Sequence, residues 1–109
     1  MERALQTLRI EYLASLPERI RELRADIGDL KAGHRGATDS LKVKLHRLAG
    51  SGGSYGFVEL SSIAREAERW LADPEQPEVC ELEGIIDRLA REVEEAGRTG
   101  KTGRTGGLE

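Results

Sequence analysis

The chain is poor in the residues that carry most specialised chemistry. It has one cysteine, Cys80, so no internal disulfide can form, and neither His34 nor His46 has partners at metal-ligand spacing. Those shortages exclude a disulfide-stapled secreted scaffold and predict a metal-free fold in a reducing compartment. Aromatic residues make up 4% of the sequence, one Phe, one Trp and two Tyr, so any core must be built mainly from Leu, Ile, Val and Ala. An excess of positive charge is also missing: 17 Lys and Arg face 20 Asp and Glu, a formal net charge of -3. Phosphate backbones need a dense basic field, so nucleic acid is excluded as the principal ligand. No apolar run approaches the roughly 18 to 20 residues that span a bilayer. The opening Met1-Glu2-Arg3 lacks the apolar core of a signal peptide, and the expectation is a cytoplasmic protein without a membrane role.

What is present is a helical period carried almost throughout. Leu5, Leu8, Tyr12, Leu16, Ile20, Leu23, Ile27 and Leu30 recur at spacings of three and four, one apolar stripe on a long helix. Pro17 lies within it and predicts a kink or a short break, with Ser15-Leu16-Pro17-Glu18 readable as a capping box that restarts the helix. Gly33-His34-Arg35-Gly36 closes it, leaving His34 as a solvated loop residue. A second helix opens near Thr38 or Asp39, with Leu41, Leu45, Leu48 and Gly52 along one side. A third follows Gly56, its stripe formed by Leu60, Ile63, Ala64, Ala67 and Leu71, with Trp70 at the flank. Asp73-Pro74-Glu75-Gln76 ends it, and Val79, Leu82, Ile86, Leu89 and Val93 form the last stripe. Nothing alternates with a strand period. Four amphipathic helices on short connections predict an all-α antiparallel four-helix bundle with a kinked or broken N-terminal helix, covering residues 1–96. Residues 97–109, a repetitive Thr, Gly and basic stretch with almost nothing apolar to bury, read as a flexible tail or linker.

One segment, Leu45 to Phe57, departs from a generic bundle. Four of its residues are glycine, and each helical glycine costs about 0.5 to 1 kcal/mol relative to alanine. A phosphate-cradling loop does not fit, because no strand precedes the segment, no Gly-Lys-Ser or Gly-Lys-Thr ends it, and Tyr55 interrupts a GxGxxG pattern. At about 100° per residue, His46 points roughly 130° from the Leu41, Leu45, Leu48 stripe, and Gly50 and Gly53 fall within about 40° of it. The glycines clear space beside an outward imidazole, and Lys42 lies one turn back on the same side. If the chain reverses near Phe57, His46 comes level with Glu68, which sits about 80° from the centre of its own stripe. A carboxylate there either holds the ring through Nδ1 or stands solvated.

The run His46-Arg47-Leu48-Ala49-Gly50-Ser51, with Gly56 ten residues after the histidine and Leu60, Ala64 and Glu68 beyond, resembles the histidine-containing phosphotransfer (HPt) domain family. In that family Leu, Gly, Ser and a second Gly stand where Leu48, Gly50, Ser51 and Gly56 stand here. The resemblance implies a phosphoryl carrier: His46 as phosphoacceptor, Glu68 orienting the imidazole, and Gly50, Gly53, Ala49 and Ser51 as docking surface. The partners it implies are a response-regulator receiver domain and a sensor histidine kinase. The chain would carry no cofactor of its own, the Mg²⁺ coming from the receiver, and would not be an enzyme. Family members usually carry lysine where this chain has Ala49, and Lys42 is the expected substitute for phosphoryl neutralisation, ahead of Arg47. Two other classes compete: an unphosphorylated helical adaptor that docks receivers or other helices, and a small hydrolase built on His46 and Glu68. For the hydrolase no third group or oxyanion donor can be named.

Overall fold

The computed structural model describes residues 2–75 and 78–99. Helices α1 (Glu2–Lys31), α2 (Ala37–Ser54), α3 (Val58–Ala72) and α4 (Val79–Thr99) form a four-helix bundle, with no strand among the described residues. Each helix packs on its chain neighbour and α4 closes the ring on α1, while the backbones of the diagonal pairs α1 with α3 and α2 with α4 stay more than 8 Å apart between Cα atoms. The core is mainly aliphatic, as the scarcity of aromatics requires, with Tyr12 and Trp70 also buried in it. Leu16, Leu23, Leu41, Leu45, Leu48, Leu82, Ile86 and Leu89 are its largest fully buried side chains.

The apolar stripes explain where each helix turns its face, with two corrections in α1. The helix runs unbroken through Pro17, so of the expected kink or break the break and restart do not occur. Ser15 instead bonds back within the helix, its hydroxyl 2.6 Å from the Tyr12 carbonyl. Pro17 is exposed while Tyr12, Leu16, Ile20 and Leu23 are buried, so packing on both sides of the proline holds the two halves on one surface. An interior proline costs about 3 kcal/mol, which the burial of a few such side chains offsets. Leu5 and Leu8, which continue the stripe in phase, are 50% and 47% exposed. At about 1.5 Å per residue α1 is roughly 45 Å long, and Arg9 already lies against Phe57 in the α2–α3 connection, so the first turns overhang the bundle's end.

Two connections share one backbone device. At the end of α1 the Gly33 N–H donates to the Leu30 carbonyl and the His34 N–H to the Asp29 carbonyl. At the end of α2 the Gly56 N–H donates to Gly53 and the Phe57 N–H to Gly52. Gly33 and Gly56 have φ of +81° and +87°, the left-handed conformation this termination requires. The start of α2 differs from expectation: Gly36 precedes it and no side chain caps it, so neither Thr38 nor Asp39 serves that role. Asp73 ends α3 in an extended conformation, where the following Pro74 pushes it. Helix α4 continues through Gly97 and Arg98 to Thr99, past the boundary expected at 96, with Arg98 on Glu95 one turn earlier at 3.5 Å. Residues 100–109 of the expected tail lie outside the described residues. No helix among the described residues is long and apolar enough to cross a membrane.

Candidate functional site

Leu41, Leu45 and Leu48 are buried, which fixes the rotation of α2 and turns His46 outward. Its side chain is 79% exposed. The α2–α3 hairpin brings Glu68 beside it, with Glu68 Oε2 3.0 Å from His46 Nδ1. A carboxylate oxygen only accepts, so the hydrogen of this bond belongs to Nδ1, and in the neutral ring Nε2 then carries the lone pair. Glu68 is itself three-quarters shielded, its side chain 26% exposed, which restricts the geometries from which it can hold the ring.

The glycines after His46 have separate consequences. A Cβ on Gly52 would stand 3.3 Å from Leu60 Cδ2 and 3.6 Å from the Ser61 amide nitrogen, so this glycine sets how closely α3 approaches α2. Ser61 exploits the approach: its buried hydroxyl donates to the Ala49 carbonyl at 2.7 Å. Gly50 is exposed, and a Cβ there would meet nothing within 4 Å. Gly53 is exposed and borders a surface depression with Val58, Ser61, Ser62, Arg65 and Arg69.

Two residues expected on the docking surface are placed elsewhere. Ala49 is fully buried, because it lies four residues after Leu45 and therefore on the core side of α2. Ser51 is half-buried and faces α1, its hydroxyl donating to the Arg47 carbonyl at 2.8 Å and lying 2.7 Å from the Tyr12 hydroxyl. Tyr12 also stacks on Tyr55 and Phe57, with ring centroids 4.7 and 5.8 Å away, and burial raises its phenol pKa above the usual range against the opposing effect of the Ser51 bond. Ser51 thus ties α2 to α1.

His46 opens onto a groove of about 810 Å³ between α2 and α3. Lys42, Val43 and Arg47 line it from α2, and Arg65, Glu68, Arg69 and Ala72 from α3. Lys42 stands where expected, one turn from His46. Arg65 and Arg69 were not singled out by the sequence reading, although the signal existed: counting outward from the turn pairs Ala49 with Arg65 as it pairs His46 with Glu68. His34 lies apart, in the exposed α1–α2 connection. Lys44, one residue from the groove in sequence, is drawn to the opposite side, where Asp26 accepts from its Nζ at 2.9 Å and from the Ser40 hydroxyl at 2.7 Å. Among the described residues no group of three His, Cys, Asp or Glu side chains is arranged to hold a metal ion.

This arrangement offers an accessible, oriented imidazole nitrogen in a groove rich in positive charge. In comparison with known proteins, a family model described as Hpt domain matches residues 7–99. No curated protein and no solved structure matches.

Proposed function

The chain belongs to the Hpt domain family, whose members carry phosphoryl groups on histidine within phosphorelays rather than acting as catalytic enzymes, and from that premise we propose that His46 is the acceptor. The observation that carries the reading is the 3.0 Å contact between Glu68 Oε2 and Nδ1 of a ring that is otherwise exposed. The Nε2 lone pair attacks the phosphorus of an aspartyl phosphate on a receiver domain. The N–P bond forms as the P–O bond to the aspartate breaks, and the aspartate leaves as carboxylate. Nδ1 keeps its hydrogen, and Glu68 offsets the positive charge that the ring acquires. In the reverse step a receiver carboxylate attacks phosphorus and Nε2 departs with its electron pair, so no proton has to move in either direction.

Val43, 48% exposed, and the open positions Gly50 and Gly53 provide a low-relief approach for the receiver. Lys42 adds positive charge from the preceding turn of α2. The divalent cation that phosphoryl transfer uses is assigned to the receiver, and a sensor histidine kinase is the other partner that the family suggests. Incubation with a receiver carrying labelled aspartyl phosphate tests the reading. The chain is expected to acquire acid-labile, base-stable label, and His46→Gln to abolish it. Label that survives the substitution contradicts the assignment, and receiver binding without any label makes the chain an adaptor.

A further inference from the structure

Four cations gather around His46 without a counter-charge, whereas the other cations that enter no ion pair among the described residues, Arg35 and Arg91 among them, do not line this groove. Elsewhere Arg21, Arg24, Lys31, Lys44, Arg88 and Arg98 each meet a carboxylate. Lys42, Arg47, Arg65 and Arg69 enter no ion pair among the described residues, although all four line one groove. Glu68 is the groove's single carboxylate, and it is engaged by the imidazole. In a chain of formal net charge -3, this groove is lined by four cations and one carboxylate.

We propose that Arg65 and Arg69 of α3 are the principal phosphoryl-binding cations of this site, receiving the dianionic group carried by His46 from the helix opposite the histidine. The proposal rests on the reading of His46 as acceptor. Three observations support it. The hairpin register that pairs His46 with Glu68 and Gly53 with Ser61 places Arg65 level with Ala49, the next turn of α2 after the histidine. Ala49 itself offers only a fully buried methyl, so α2 has no cation at that level. Arg65 and Arg69 are four residues apart, about 40° around α3, and so reach the groove from one face. A guanidinium also presents paired N–H donors that match two phosphoryl oxygens, which an ammonium such as Lys42 cannot do.

The inference is separable from the reading beneath it. In the Arg65→Gln/Arg69→Gln double variant, transfer from a receiver is expected to slow roughly tenfold, a loss set between a buried oxyanion donor and a solvent-screened pair. Arg65→Lys/Arg69→Lys should recover part of the rate. The charge-matched control Arg35→Gln/Arg91→Gln, away from the groove, should transfer normally. A second measurement needs no receiver: His46 is phosphorylated with phosphoramidate and the phosphoryl resonance is followed by ³¹P NMR against pH. Nearby guanidiniums favour the dianion, so its last protonation should occur at higher pH in the double glutamine variant than in wild type. If both rate and titration match wild type while His46→Gln still abolishes label, the inference falls and the phosphoacceptor stands. If receivers fail to label wild type, the acceptor reading falls, and the titration still decides whether Arg65 and Arg69 bind the group.

Discussion

Between α1 and α4, cations meet carboxylates across the interface, Arg24 on Asp87 and Lys31 on Glu83, both at 2.9 Å. Along the groove between α2 and α3 the same kinds of side chain face solvent without partners, and the one acid present, Glu68, is turned to an imidazole. Both regions are built on the same aliphatic core and the same antiparallel geometry, so the fold does not require the difference. It teaches that the two faces answer to different demands. Surface ion pairs add at most about 1 kcal/mol each to stability, so leaving the groove unpaired sacrifices little. It keeps positive charge available to an anion brought by a partner.

The comparison can be broken by substitutions that should affect one region and spare the other. The largest expected effect is on transfer: Gly50→Leu fills open space beside His46 and is expected to block phosphoryl transfer while leaving helical content by circular dichroism unchanged. Loss of helix instead would mean that the glycine is needed for folding rather than docking. Next, Asp26→Ala removes the acceptor shared by Ser40 and Lys44 and should lower unfolding free energy in denaturant by about 2 kcal/mol, with His46 still labelled. Glu68→Ala should do the reverse, slowing transfer about tenfold, the equivalent of one charge-assisted hydrogen bond, with little change in denaturation midpoint. An unchanged rate removes Glu68 from the site.

The smallest effect sharpens the contrast on the α4 side. Burial, with Glu59 and Glu95 nearby, raises the pKa of Glu92 above the usual carboxylate value. The folded state therefore holds that proton more tightly than the unfolded chain, and stability is lost as pH rises through the carboxylate range. Glu92→Gln should flatten that slope slightly in denaturant melts run from pH 4 to 7, and leave transfer untouched.

Much of this was legible in the residues themselves. The Leu41, Leu45, Leu48 stripe fixed the outward face of α2, and equal distances from the turn at Phe57 placed Glu68 beside His46. Both rest on helix rotation and register, which short-range periodicity encodes. The same rotation puts Ala49 in the core, four residues beyond Leu45, at odds with its expected place on the docking surface. The exposure of Leu5 and Leu8 depends on the length of α1 relative to its partners, a tertiary property that periodicity cannot report. The same holds for Pro17, where packing on both sides overrides a local preference. Register from the turn places Arg65 level with Ala49, but that Arg65 and Arg69 share one groove with Lys42 and Arg47, whose single carboxylate is engaged by the imidazole, is visible only in three dimensions.

The most direct test of the central claim is the position of the phosphoryl group on the ring. With Glu68 holding Nδ1–H, ³¹P and ¹⁵N NMR of the phosphorylated protein should place phosphorus on Nε2 of His46. Phosphorus on Nδ1, or on any other side chain, would contradict the account.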